Sequence, residues 1–245
     1  MPVHRTLAAA AGAAALALSL AAAGGCRARP AAGPGPSPAA PAPSSPAPGA
    51  PAAAAARTPA GGGAAAYRYV FPVGGRATYA RTHHDYPAAD IMAPCGAAAL
   101  SPVDGTVLEV SRVDRYRPSV DDGATRGGLS VAIRGADGVR YYGSHYRRVD
   151  AAVVAGRPVR AGQRIADVGD TGLAGACHVH FGLSPACAGT GDWWVRRGVL
   201  WPAGYLDAWR RGEPRSPAAA VRAWQSAHGC PARPRDLPAT PPAGR

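Results

Sequence analysis

Between Arg27 and Ala66 the chain has no aromatic residue and no Leu, Ile or Val. Such a stretch has nothing to bury, so its chain entropy goes unopposed and it cannot contribute a core. A folded domain must therefore begin near Tyr67, the first aromatic residue. What precedes it, from residue 27, is mostly Ala, Pro, Gly and Ser. A Pro-rich chain tends to polyproline II at ~3.1 Å per residue, so a tether of this length would reach on the order of 100 Å.

Residues 1–25 read as an export signal, with His4 and Arg5 ahead of an apolar run from Leu7 to Ala23. The run is short for a membrane span, which needs about 20 residues. Ala23-Gly24-Gly25-Cys26 follows and resembles the bacterial lipobox, although Ala23 stands where Leu is usual. Diacylation of Cys26 would give stable anchoring; the alternative is an ordinary cleaved signal with an incidental cysteine.

The formal charge is +12, and all 27 basic residues are Arg. Genomic base composition that favours Ala, Gly, Pro and Arg codons accounts for this without selection for arginine chemistry. A basic surface would suit an anionic partner. No basic run interleaved with aromatics occurs, so nucleic acid is not an expected partner.

From Tyr67 onward, short β-prone runs alternate with turns. The runs are Arg68-Tyr69-Val70-Phe71, Thr106 to Val110, Leu129 to Ile133 and Val139 to Tyr142. Turn residues stand at Asp104-Gly105, Arg134 to Gly138 and Gly169 to Gly172, and Asp137-Gly138 is the clearest hairpin. This pattern predicts a mainly β, antiparallel domain, a sandwich or open barrel. Helical patterning appears only late, at Gly204 to Trp209 and Ser216 to Ala227. Ser216 would cap the second helix, with Pro217 just inside it. Pro231 to Arg245 reads as a disordered tail.

Seven histidines occur, and His4 belongs to the signal. Five of the remaining six fall at His83-His84, His145 and His178-Val179-His180. Val179-His180-Phe181 suits a strand, in which His178 and His180 would project from one face, Cα atoms roughly 6.5 Å apart. Alone the pair carries little weight. With Asp90 opening an apolar Ile91-Met92, the clustering predicts a catalytic metal site, three protein ligands and a position for water. His84, Asp90 and His180 satisfy that count.

Several ordered stretches resemble the lysostaphin-type (LytM-like) zinc metallopeptidases, which cut peptidoglycan peptides. They are Tyr86 to Ile91, Ala93-Pro94-Cys95-Gly96, Pro102 to Val107, Tyr142 to His145, Val159 to Gly172 and His178 to Gly182. The resemblance implies the lysostaphin-type β fold with short C-terminal helices. It also implies one zinc ion per chain on His84, Asp90 and His180, a peptidoglycan-peptide substrate, and His145 and His178 as the catalytic histidines. One of these would serve the attacking water and the other the oxyanion or leaving amine, in an order left open. The expected layout is a signal at 1–25, a lipidated Cys26 and tether at 26–66, the peptidase domain at 67–212, and a helix and tail at 213–245. The protein would then act as a monomer on the outer face of the cytoplasmic membrane or in the cell wall. A non-catalytic wall-binding or activator protein on the same fold is the alternative.

One departure stands out. The family places three residues between its first His and the Asp, whereas His84 and Asp90 are separated by five and Tyr86 occupies the usual ligand position. His84 is favoured over His83 as the ligand; neighbours in a strand face opposite ways, so only one of the two would easily face the metal.

Beside Cys26 there are four cysteines, Cys95, Cys177, Cys187 and Cys230, which read as disulfides in an exported chain. Three pairings are possible; Cys95 with Cys177 is preferred because both flank site residues. The five tryptophans read as packing for the terminal helices rather than as a carbohydrate-stacking surface. Tyr116 to Arg126 is a polar loop that either borders the cleft or is merely solvated.

Overall fold

The hairpin at Asp137-Gly138 is the axis of the fold. In a computed structural model, which describes residues 67–187 and 193–233, it joins β5 (Leu129–Gly135) to β6 (Val139–Val149). Gly138 takes a φ of 84°, which an L side chain resists. The readings made for the export signal, lipidated cysteine, tether and tail fall on residues outside those described, save that Pro231 to Arg233 are described.

The other strands are β1 (Thr78–Tyr79), β2 (Ala89–Met92), β3 (Ala98–Leu100), β4 (Gly105–Ser111), β7 (Pro158–Val159), β8 (Arg164–Val168) and β9 (His178–Pro185). All pair antiparallel, in the order β1-β2-β9-β6-β5-β4-β7, with β8 joining β6 further along and pairing β3. The mainly β, antiparallel expectation is met.

Because side chains alternate along each strand, this sheet sorts its residues into two populations. Ala89 and Ile91 of β2, Val179, Phe181 and Leu183 of β9, Val139 and Tyr141 of β6, and Val131 and Ile133 of β5 belong to the hydrophobic core. The intervening positions carry Asp90, His178, His180 and Ser144. Registry aligns them: His180 stands opposite Asp90 on one side and Ser144 on the other.

The core face is closed by Tyr69 and by Trp209 of α1 (Ala203–Arg210), whose rings stack at 5.4 Å. That places Trp209 as packing, 3% exposed, as expected of it. A buried carboxylate ties this layer together. Asp137 Oδ2 accepts from the hydroxyls of Tyr141 at 2.6 Å and Tyr69 at 2.9 Å, and the Ser216 hydroxyl bonds that of Tyr69 at 2.8 Å.

Some sequence expectations shift. Arg68 to Phe71 forms only an isolated bridge, Tyr69 with Val103; its backbone runs antiparallel beside residues 98–103, with a second bridge at Val73–Ala99, but Pro72 and Pro102 have no N–H to complete a ladder. The second helix, α2 (Ala218–His228), starts two residues after Ser216, whose hydroxyl still accepts the Ala218 N–H at 3.2 Å. Disulfides join Cys95 to Cys177 and Cys187 to Cys230, the preferred pairing. The second fastens the end of α2 just beyond β9. Among the described residues no helix is long and apolar enough to cross a membrane.

Asp137→Ala would leave two hydroxyls without their acceptor, one on the buried Tyr141. The expected loss of stability is about 3 kcal/mol, measured by urea unfolding, with a smaller loss for Tyr69→Phe.

Candidate active site

Asp90 is the hub of the polar face. Its Oδ1 lies 2.9 Å from His180 Nδ1 and 3.7 Å from His178 Nε2, while Oδ2 lies 3.7 Å from His83 Nε2. Donor atoms of His83, His84 and Asp90 fall within 4.8 Å of one another. Burial raises the Asp90 carboxyl, but the His180 hydrogen bond and the charges of His180, His178 and His83 outweigh it and hold the group at about 2. Burial, with the charge of His180, pushes His83 down.

The structure therefore brings His84, Asp90, His145, His178 and His180 to one cleft of about 820 Å³, and adds His83. The expectation that only one of His83 and His84 faces the metal rested on strand parity, which does not apply, because residues 84–87 form a bend. Both rings consequently stand near Asp90. His83 is half-buried, with its ring centroid 4.8 Å from that of His180, and His84 is exposed.

His145 reaches the cleft through a bulge. Strand β5 pairs Ser130 with Ser144 and Leu129 with Tyr146, so His145 is the extra residue of β6. Its φ is +64°, a left-handed conformation uncommon for a side-chain-bearing residue. The strain coincides with the site. The His145 N–H donates to Gly127 O at 2.9 Å, and the ring Nδ1 lies 2.7 Å from Thr171 O. Similarly, His178 Nδ1 lies 2.8 Å from Ala176 O. A carbonyl only accepts, so both rings, when neutral, carry their proton on Nδ1 and present a bare Nε2. The two ring centroids are 4.6 Å apart. Burial is the main cause that brings His145 down to about 4, so it is neutral at neutral pH.

The donor set fits a zinc ion. Two ligand atoms on a tetrahedral zinc, with bonds of about 2.0–2.1 Å, would stand roughly 3.3 Å apart. The approaches of His180 and His83 to Asp90, 2.9 and 3.7 Å, bracket that value. An ionised carboxylate beside a neutral imidazole is also the protonation state that metal ligands require.

Three residues escaped the sequence reading. The Tyr86 hydroxyl lies 3.2 Å from His180 Nε2, and burial raises Tyr86 to about 12. Arg197 places its guanidinium carbon 3.9 Å from the centroid of the Tyr86 ring. Trp193, of the short 3-10 helix Trp193–Arg196, lines the cleft instead of packing a terminal helix. A departure from family spacing was the only signal at Tyr86, and nothing local marked the others. Gly123, Ala124 and Arg126 do border the cleft, so the polar loop is part of its wall.

Residues 84–189 match the profile of peptidase family M23. The match supports a peptidase of family M23 over those residues. The resemblance drawn from its motifs is thus borne out. No curated protein matches the chain. Among solved structures, a protein assigned as a glycyl-glycine endopeptidase, lytM, of Ruminococcus gnavus is similar at 19% identity and a TM-score of 0.46. That similarity covers 61% of this chain and 63% of the other, so the chain spans under two thirds of its length. The catalytic domain of the antimicrobial peptidase lysostaphin from Staphylococcus simulans is similar at 20% identity and a TM-score of 0.41, over 54% of this chain and 92% of that one. A zinc-containing peptidase from Vibrio cholerae is similar at 25% identity and a TM-score of 0.33, over 49% and 34% of the two chains.

Long-range proton–nitrogen NMR should find the rings of His145 and His178, when neutral, as Nδ1–H tautomers. An Nε2–H signal from either ring would contradict the hydrogen bonds to Thr171 and Ala176.

Proposed function

We propose that the protein is a zinc-dependent endopeptidase that hydrolyses peptide bonds of peptidoglycan stem peptides or cross-links. The observation that carries this reading is the convergence of four histidines on the single carboxylate of Asp90. Asp90 and His180, with His84 or His83, would hold the ion. When bound, zinc supplies Lewis acidity toward water and toward a peptide carbonyl.

The remaining chemistry belongs to the chain's own groups. His145 and His178, each fixed through Nδ1, direct bare Nε2 atoms into the cleft. One takes the proton of the attacking water; protonated, such a ring can return it to the leaving amine. An imidazolium near the scissile carbonyl also stabilises negative charge on its oxygen. The bulge at His145 holds the ring without a search over rotamers, which is the positional advantage catalysis needs. Residues 1–25, Cys26 and the stretch to residue 66 would export the domain, anchor it by lipid and extend it toward the wall.

Purified protein should carry one zinc per chain by elemental analysis. Asp90→Ala and His180→Ala should lose both metal and activity, whereas His145→Ala should keep zinc and lose turnover by about a hundredfold or more. The measurement is release of new amino groups from peptidoglycan, with mass spectrometry of the fragments. Fully zinc-loaded protein that releases none would make it a wall-binding or activator protein instead.

A further inference from the structure

Three arginines line the cleft beside the histidines: Arg126, Arg196 and Arg197. Two are held by carboxylates. Arg126 makes a two-bond pair with Asp121, at 2.8 and 2.7 Å, and Arg196 Nε lies 3.0 Å from Glu109 Oε1. Arg197 differs. Among the described residues no carboxylate lies within ion-pair distance of it. Its guanidinium instead rests on the Tyr86 ring, with the Trp193 ring centroid 5.7 Å away.

This placement is built into the backbone. At Gly198 an added Cβ would collide with the carbonyl oxygen of Pro87 and press on Gly182. Only a glycine lets the segment after Trp193–Arg196 approach the Tyr86-Pro87 loop so closely. Stacking occupies the flat face of a guanidinium and leaves most of its N–H donors at the edge, in the planar fork that matches a carboxylate.

We propose that Arg197, seated on Tyr86 beside Trp193, is a subsite for a free carboxylate on the substrate peptide. This rests on the peptidase reading and names the substrate class it takes: peptides carrying an acidic group close to the cleaved bond. The Tyr86 hydroxyl is 3.2 Å from His180 Nε2, so the cation stands one tyrosine ring from the residues around Asp90. An extended peptide advances about 3.3 Å per residue, which places the carboxylate within two residues of the scissile bond. A side-chain carboxylate and a chain terminus share this chemistry; a carboxamide would lack its charge.

The test uses the full zinc-loaded protein and two forms of one soluble peptidoglycan peptide preparation, native and with its carboxyl groups converted to carboxamides. Cleavage is followed by amino-group release. Binding is followed by calorimetry on His145→Ala, with and without Arg197→Gln, after zinc content has been verified. Amidation should weaken binding and raise KM by about tenfold or more. Arg197→Gln should reduce the native form to the level of the amidated one, and Arg197→Lys should restore part of the difference. Equal handling of the two forms, or discrimination that survives Arg197→Gln, overturns the subsite while cleavage upholds the peptidase. Selective binding of the native form without cleavage upholds the subsite and sinks the peptidase. If neither form is bound or cut, both fall.

Discussion

The pairing of Asp90 with His180 across β2 and β9 is the constraint on which the site depends. It is a cross-strand pair, so the same backbone ladder that builds the sheet sets the separation of the two groups. Burial by itself would raise the carboxyl's pKa; the surrounding imidazoles outweigh that and lower it. The carboxylate is thus stabilised only where several histidines are brought around it. The sheet supplies them from β9, from the bend before β2, and from β6.

The sheet's two faces have separate tasks. One is apolar and is closed by Tyr69, Trp209 and the terminal helices, with Asp137 joining the layers by hydrogen bonds. The other carries the polar cluster. A one-residue slip of β9 would exchange Val179 and Phe181 for His178 and His180, placing imidazoles in the core. Such a slip would cost both the hydrophobic burial and the site. The Cys95–Cys177 disulfide reinforces this register immediately before β9 begins.

Features that break regularity lie at the cleft. His145 is an extra residue in β6 with a left-handed backbone, and the 83–87 stretch bends before β2. Gly198 permits a contact that any side chain would block. Each departure aims a group that a regular strand would have turned elsewhere: the His145 ring toward His178, both His83 and His84 toward Asp90, and Arg197 onto Tyr86.

Much of this was legible in the chain. Alternation in Val179-His180-Phe181 specified a strand with one polar face, and the Asp137-Gly138 turn specified the hairpin of β5 and β6. The grouping of histidines with Asp90 marked the chemistry, and the ordered motifs marked the family. Strands of two to five residues, such as β1 and β7, were not legible, because so short a run has no period to detect. Strand parity was no guide to His83 and His84 for a related reason: it holds only where the backbone is extended, and the bend at 84–87 brings both rings near Asp90. Tyr86 lies more than a hundred residues before Trp193 and Arg197, and their meeting depends on how the C-terminal segment returns over the loop. The sequence by itself determined which residues alternate, turn or carry metal-ligating side chains, since those properties are local. The tertiary structure alone decided which distant side chains share the cleft, because that follows from sheet registry and from the close approach of backbones at Gly198 and Pro87.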